Sequence, residues 1–124
     1  MEVPADLLYS ADHEWVKLAG NRATIGITDY AQDALGDVVY VQTPDIGRRV
    51  SAGDSFSEVE STKSVSDIYA PVTGTVAGVN SSLADDPSLI NTSPYGDGWI
   101  CEIELDSADV SHLMSADDYR KLIS

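Results

Sequence analysis

Short runs of alternating apolar and polar residues dominate the middle of the chain, and this period of two predicts a molecule built mainly from strands. Thr24-Ile25-Gly26-Ile27-Thr28 alternates, and Asp37-Val38-Val39-Tyr40-Val41 is a β-branched run that ends before Pro44. The clearest case lies near the C terminus, where Trp99, Cys101, Ile103 and Leu105 fall on one strand face and Glu102 and Glu104 on the other. Helical patterns are short. Asp29 is placed to cap a helix carrying Tyr30, Ala31 and Leu35, with Gln32 in the capping-box position and Gly36 as the stop. Asp86 is expected to cap another, with Pro87 in its first turn. Ser107 is expected to cap a turn in which Val110, Leu113 and Met114 form one apolar stripe. Ser115 then starts a last helix, with Asp117 and Asp118 early and Arg120 and Lys121 late, as the helix dipole favours.

Two turn signals echo each other. Pro44-Asp45-Ile46-Gly47 leads into Val50, and Pro71-Val72-Thr73-Gly74 leads into Val76, which points to a sandwich of two similar halves. Between them, two strand-like runs, 53–60 and 65–71, flank the polar tip Ser61-Thr62-Lys63-Ser64. This is the pattern of a hairpin with a four-residue loop.

Composition narrows the functions available. A chain of 124 residues fits one domain, here taken as 1–124 with a core at about 20–105 and a helical segment at about 107–124. Seven Lys plus Arg against 21 Asp plus Glu give a net charge of -14. Nucleic acid and anionic lipid are bound chiefly through Lys and Arg, so neither is an expected partner. No stretch is long and apolar enough to span a membrane. The start, Met1-Glu2-Val3-Pro4-Ala5-Asp6, carries neither a secretory nor a mitochondrial targeting pattern, so a cytoplasmic protein is expected. Cys101, the lone cysteine, reads as a buried strand thiol. His13 and His112 come with no nucleophile that would complete a triad, and His112 reads as a solvated residue on a surface helix.

Lysine is scarce: Lys17, Lys63 and Lys121 are the three in the chain. Most lysines at hairpin tips are simply solvated. A carrier, however, needs an exposed amine on a fixed backbone between small neighbours, and Thr62 and Ser64 supply such neighbours. The run Val59-Glu60-Ser61-Thr62-Lys63-Ser64-Val65-Ser66-Asp67 resembles the lipoyl-attachment site of the H-protein family of the glycine cleavage system. The resemblance extends over nearly the whole chain. It takes in His13-Glu14-Trp15, Gly26-Ile27-Thr28-Asp29-Tyr30-Ala31-Gln32, Leu35-Gly36-Asp37-Val38-Val39, Pro71 with Gly74, Leu89-Ile90-Asn91, Ser93-Pro94-Tyr95 and Gly98-Trp99. The usual family tip is Glu-Ser-Val-Lys-Ala, and here Thr62 and Ser64 replace its apolar neighbours.

The resemblance implies an all-β barrel-sandwich hybrid of the biotinyl/lipoyl-carrier type, with short peripheral and C-terminal helices. It implies lipoate joined to Lys63 as an amide by a lipoate ligase or lipoyltransferase. It further implies a non-catalytic shuttle among three enzymes: the P protein, a pyridoxal-phosphate glycine decarboxylase that loads an aminomethyl group; the T protein, an aminomethyltransferase; and the L protein, a dihydrolipoamide dehydrogenase. The loaded arm would end in a cation that a sheltered carboxylate could hold. Glu14, between His13 and Trp15, is the first candidate and Asp67 the next; an outward-pointing Glu14 is the ordinary alternative. Three other readings stay open. A biotin carrier usually has Met on both sides of its lysine. A lipoyl domain of a 2-oxo acid dehydrogenase lacks the His-Glu-Trp block. An H-like relay would hand lipoate on to other proteins.

Overall fold

The structure, a computed structural model, describes residues 1–107 and 110–124. Among these residues, nine strands form two sheets and four short helices lie at the periphery. The elements run β1 (Leu8–Tyr9), β2 (Glu14–Ala19), β3 (Arg22–Ile27), α1 (Asp29–Leu35), β4 (Val38–Gln42), β5 (Arg49–Val50), β6 (Ser55–Ser61), β7 (Val65–Tyr69), β8 (Gly74–Val79), α2 (Ser82–Asp85), α3 (Leu89–Thr92), β9 (Cys101–Leu105) and α4 (Ala116–Ile123). One sheet has the order β1-β2-β3-β9-β8-β5, and the other is β4-β6-β7; every pairing is antiparallel.

Alternation places the core. In β9, Cys101, Ile103 and Leu105 are buried while Glu104 is exposed, and the Cys101 thiol is pushed up to about 12 by that burial. The inward residues of β3, β6 and β8 join them, including Ile25, Val59 and Val76. Each such side chain stabilises the fold by about 1.5–3 kcal/mol relative to exposure. Trp99 does not continue this face. The strand begins at Cys101, Ile100 takes the buried place, and Trp99 packs instead on a second cluster formed by Val3, Leu7, Tyr9, Trp15, Ala116 and Tyr119. Within that cluster Trp15 lies opposite Gly26 in the β2–β3 register. A Cβ on Gly26 would stand 2.6 Å from the indole nitrogen, so glycine is what admits the ring.

The two Pro-x-x-Gly turns lie side by side. Gly47 N–H donates to the Val76 carbonyl at 2.8 Å, Val76 N–H donates to Arg48 at 2.9 Å, and β5 pairs with β8.

Several helix boundaries differ from expectation. Thr28, not Asp29, caps α1: its hydroxyl accepts from Ala31 N–H, while the Thr28 N–H donates to the His13 carbonyl. Asp29 is then the first helical residue, and Gln32 donates to its carboxylate at 2.7 Å. Asp86 closes α2, and α3 begins after Ser88, whose hydroxyl bonds the Asp86 carboxylate. Residues 110–115 are turn and bridge, not helix. Met114 exchanges backbone hydrogen bonds with Tyr9, which pulls it into extended pairing at the sheet edge. The expected start of that stretch includes residues 108 and 109, outside the described residues. His112 is therefore on a turn, with Nε2 against the Pro71 carbonyl at 2.6 Å. The last helix has the expected cap, Ser115 accepting from Asp118 N–H.

Candidate functional site

Strands β6 and β7 meet at a tight tip. Ser61 N–H donates to the Ser64 carbonyl at 2.8 Å, and the Ser61 hydroxyl accepts from the N–H groups of Lys63 (3.3 Å) and Ser64 (3.1 Å). A second anchor comes from across the molecule, where Thr62 N–H donates to the Asp37 carbonyl at 3.0 Å. Asp37 follows the turn at Gly36, and that turn is fixed by Asn91. The Asn91 amide donates to the Gly36 carbonyl and to Gln32, and its oxygen accepts from Val38 N–H. Thr62, Lys63 and Ser64 are themselves exposed. The Lys63 amine has no hydrogen bond or ion pair among the described residues, so neither Glu58, Glu60 nor Asp67 holds it.

The Lys63 stem passes over Gly36. A Cβ there would lie 3.2 Å from Lys63 Cε, and the glycine has φ 85° and ψ -160°, a conformation that residues with a side chain avoid. Beyond Gly36 opens a cleft of about 190 Å³ between α1 and β7, bordered by Ala34 and Leu35 on one side and Ser66 and Asp67 on the other. Its far end is closed by Asp12, His13 and Tyr30. Four residues of strand separate Lys63 from Asp67, about 13 Å at the usual rise. An arm attached at Lys63 and lying along β7 would pass through this cleft.

Glu14 is not the outward-facing carboxylate of the ordinary alternative. It is 1% exposed, accepts from the Ser10 hydroxyl at 2.6 Å, and is pushed up to about 7 by burial. It borders a different cleft, of about 210 Å³, together with Ser10, Asp12, Gly53 and Pro71. Glu14 and Asp67 are thus not brought into one cavity. Asp12 is the carboxylate that borders both.

His13, which borders the cleft beside α1, is in an unusual backbone state, φ 70°. Its ring lies against Tyr30, and Nδ1 meets the Tyr119 hydroxyl at 2.8 Å. The same hydroxyl lies 2.7 Å from Thr28 Oγ1, so the C-terminal helix clamps both His13 and the start of α1. Burial lowers the His13 pKa, which favours the neutral ring. Neither Asp12 nor Tyr119 stood out in the sequence. Asp12 sits in no periodic pattern, and Tyr119 is 106 residues from its histidine partner.

Comparison with known proteins agrees with this geometry. Residues 7–124 match the family described as glycine cleavage H-protein. A glycine cleavage system H protein of Listeria monocytogenes serotype 4a (strain HCC23) is 53% identical over 124 residues, covering 99% of each chain. One from Mycobacterium bovis (strain BCG / Pasteur 1173P2) is 57% identical over 116 residues, covering 93% of this chain and 87% of the relative. The crystal structure of a glycine cleavage system H protein from Mycobacterium marinum superposes with a TM-score of 0.88 at 44% identity, covering 95% and 96% of the two chains.

The chain belongs to the glycine cleavage H-protein family.

The two-sheet architecture is accordingly the lipoyl-carrier barrel-sandwich expected from the sequence. Among the described residues no helix is long and apolar enough to cross a membrane, and no group of three or more His, Cys, Asp or Glu is placed to hold a metal ion.

Two outcomes follow. Glu14 has a folded pKa near 7 against an ordinary value of 4.5, so between those pH values the native state keeps a proton that the unfolded chain has lost. Stability should therefore fall as pH rises through this window. Glu14→Gln should remove that part of the slope; urea denaturation at a series of pH values, wild type against variant, checks it, and parallel slopes would contradict the burial effect. Gly36→Ala should cost about 1–3 kcal/mol, because it forces a side chain into a glycine-only conformation beneath Lys63. The same denaturation measurement reads this directly.

Proposed function

We propose that Lys63 carries lipoate in amide linkage and that the chain is the mobile carrier of glycine cleavage. On this reading it takes an aminomethyl group from the P protein to the T protein and presents the dithiol to the L protein. The observation that supports it best is the tip itself: an exposed, unpaired amine on a backbone tied to Ser61 and Asp37, with its stem directed over Gly36 toward a cleft. The residues fit the group. The amine is reachable by a modifying enzyme, Thr62 and Ser64 are small, and the cleft along β7 is lined by apolar carbons from Ala34, Leu35 and Ile68 that would shield an alkyl chain from water. The bacterial relatives support a cytoplasmic setting.

When attached, lipoate supplies a disulfide that can be opened, loaded and closed again. The protein's own part is positional. Amide formation removes the Lys63 charge and leaves the arm free, while the tip stays in place. Tethering raises the local concentration of the cofactor at each enzyme without a tight interface. Inside the cleft, Asp67 and Asp12 offer carboxylates to a cationic end, and Glu14 borders the neighbouring cleft that Asp12 also lines. A cation arriving beside Asp12 would draw Glu14 toward its ionised form, with its proton passing to water. His13, held neutral and clamped by Tyr119, closes the far end.

Intact mass spectrometry of the protein from cells able to lipoylate should show one lipoyl amide, located at Lys63. Lys63→Arg should abolish both that increment and glycine decarboxylation reconstituted with the P, T and L proteins. An unmodified wild-type Lys63 would overturn the reading, and lipoylation without any decarboxylation would leave the relay reading in its place. For the loaded arm, Asp67→Asn together with Asp12→Asn should shorten its lifetime on the order of ten-fold, the scale expected when hydrogen bonds to a charged group are weakened. Following ammonia and formaldehyde release from the loaded carrier reads this lifetime; an unchanged value would exclude these carboxylates, and a Glu14→Gln variant with unchanged lifetime would confine Glu14 to the neighbouring cleft.

A further inference from the structure

The outer face of the β4-β6-β7 sheet presents exposed apolar side chains on both sides of Glu60, beside the tip. In the register nearest Lys63, Tyr40 lies opposite Glu60, and Glu60 opposite Val65. Tyr40 is 55% exposed and Val65 is 57% exposed. Val39, turned outward at the bulge between Val38 and Tyr40, is 51% exposed. One row further from the tip, Gln42, Glu58 and Asp67 are polar or acidic. We infer that Val39, Tyr40 and Val65 form the docking surface for the enzyme that builds the amide on Lys63. This rests on Lys63 being the lipoyl attachment site.

Reach is the first reason. An enzyme that forms the amide has to bring an activated carboxyl carbon within bonding distance of the Lys63 amine, so its footprint has to cover the residues next to the tip. Enzymes that act on the far end of the arm work a full arm's length away and carry no such requirement. Val65 is two residues from Lys63, and Tyr40 is in the same cross-strand row as Val65.

Exposure is the second. On a chain of net charge -14, three large apolar side chains left more than half exposed on one sheet face are the feature that marks a contact surface; Met1, Ile46 and Leu122, also exposed, lie apart at the N terminus, in the turn before β5 and on α4. Charge is the third. Glu60 lies between Tyr40 and Val65 in the row and Glu58 lies one row behind it, so the partner surface that fits sets a Lys or Arg between two apolar contacts. A lipoate-activating ligase or transferase with such a surface is the occupant.

The test uses the full chain, lipoate, ATP and a purified lipoate ligase, with modification followed by intact mass over a range of carrier concentrations. The double variant Tyr40→Ser with Val65→Ser should raise KM roughly ten-fold or more at unchanged kcat, the scale of two central interface residues. Val65→Thr, which keeps the β-branch, should give a smaller rise. Tyr69→Ser, on the same sheet but at the end away from the tip, should leave KM unchanged. Melting temperatures of all variants should match the wild type. A wild-type KM in the folded double variant would overturn the inference, as would a variant lipoylated normally but slow in glycine cleavage, which would assign these side chains to another enzyme. No modification of the wild-type chain would instead overturn the assignment of Lys63, and this surface with it.

Discussion

The tip that bears Lys63 is ordered by hydrogen bonds and by almost nothing else. Residues 62–65 are exposed, so burial of apolar surface contributes little there. Ser61 supplies the closure through its hydroxyl, and Asp37 supplies the tether through its carbonyl. Each bond stabilises by about 1 kcal/mol, and together they offset the entropy of fixing a short exposed loop. The tether would have nothing to hold if the Gly36 turn moved, which is why Asn91 bonds both sides of that turn. A chain of contacts thus runs from α3 through Gly36 and Asp37 to the lysine. An arm attached there could be flexible because its base is not.

The same economy of small parts explains why the cleft sits where it does. Gly36 leaves room for the Lys63 stem, α1 begins at Thr28, and Thr28 is held by both His13 and Tyr119. The helix wall of the cleft is therefore aligned by the C-terminal helix, on the opposite end of the sequence. Glu14 is placed in the same framework at a cost. A carboxylate that is almost wholly buried resists ionisation, and its partner Ser10 offsets only part of that penalty.

Much of the fold was legible because strands announce themselves by alternation. The β9 face, the hairpin at Lys63 and the Ser115 cap all depend on neighbours close in sequence, and local pattern reads them directly. What failed to show depended on distant partners. Thr28 outcompeted Asp29 as a cap because its N–H was already engaged by His13, which fixes the chain direction one residue earlier. The stripe Val110, Leu113 and Met114 looked helical, yet Met114 pairs with Tyr9 far away in sequence, and tertiary pairing overrode the spacing. Trp99 continued the period of β9 on paper, but the chain enters the strand only at Cys101. The proposed site divides in the same way. That Lys63 stands exposed at a hairpin tip was readable from its own neighbours, whereas Asp12 became visible only when two clefts were found to share it.

A carrier that serves several enzymes has to be held briefly by each. Large apolar interfaces would lengthen every visit, and release would then limit the cycle. The surface resolves this by dividing the roles. Acidic charge in excess would speed encounter with a basic partner surface over distances of about a Debye length, without adding much residence time. Val39, Tyr40 and Val65 are exposed beside Lys63, where an enzyme modifying the lysine would have to meet the protein body itself. On the proposed reading an arm on Lys63 makes the contact elsewhere, and its reach substitutes for area. The distribution of apolar and acidic residues around the hairpin is thus the one expected if modification requires the protein surface and turnover requires chiefly the arm.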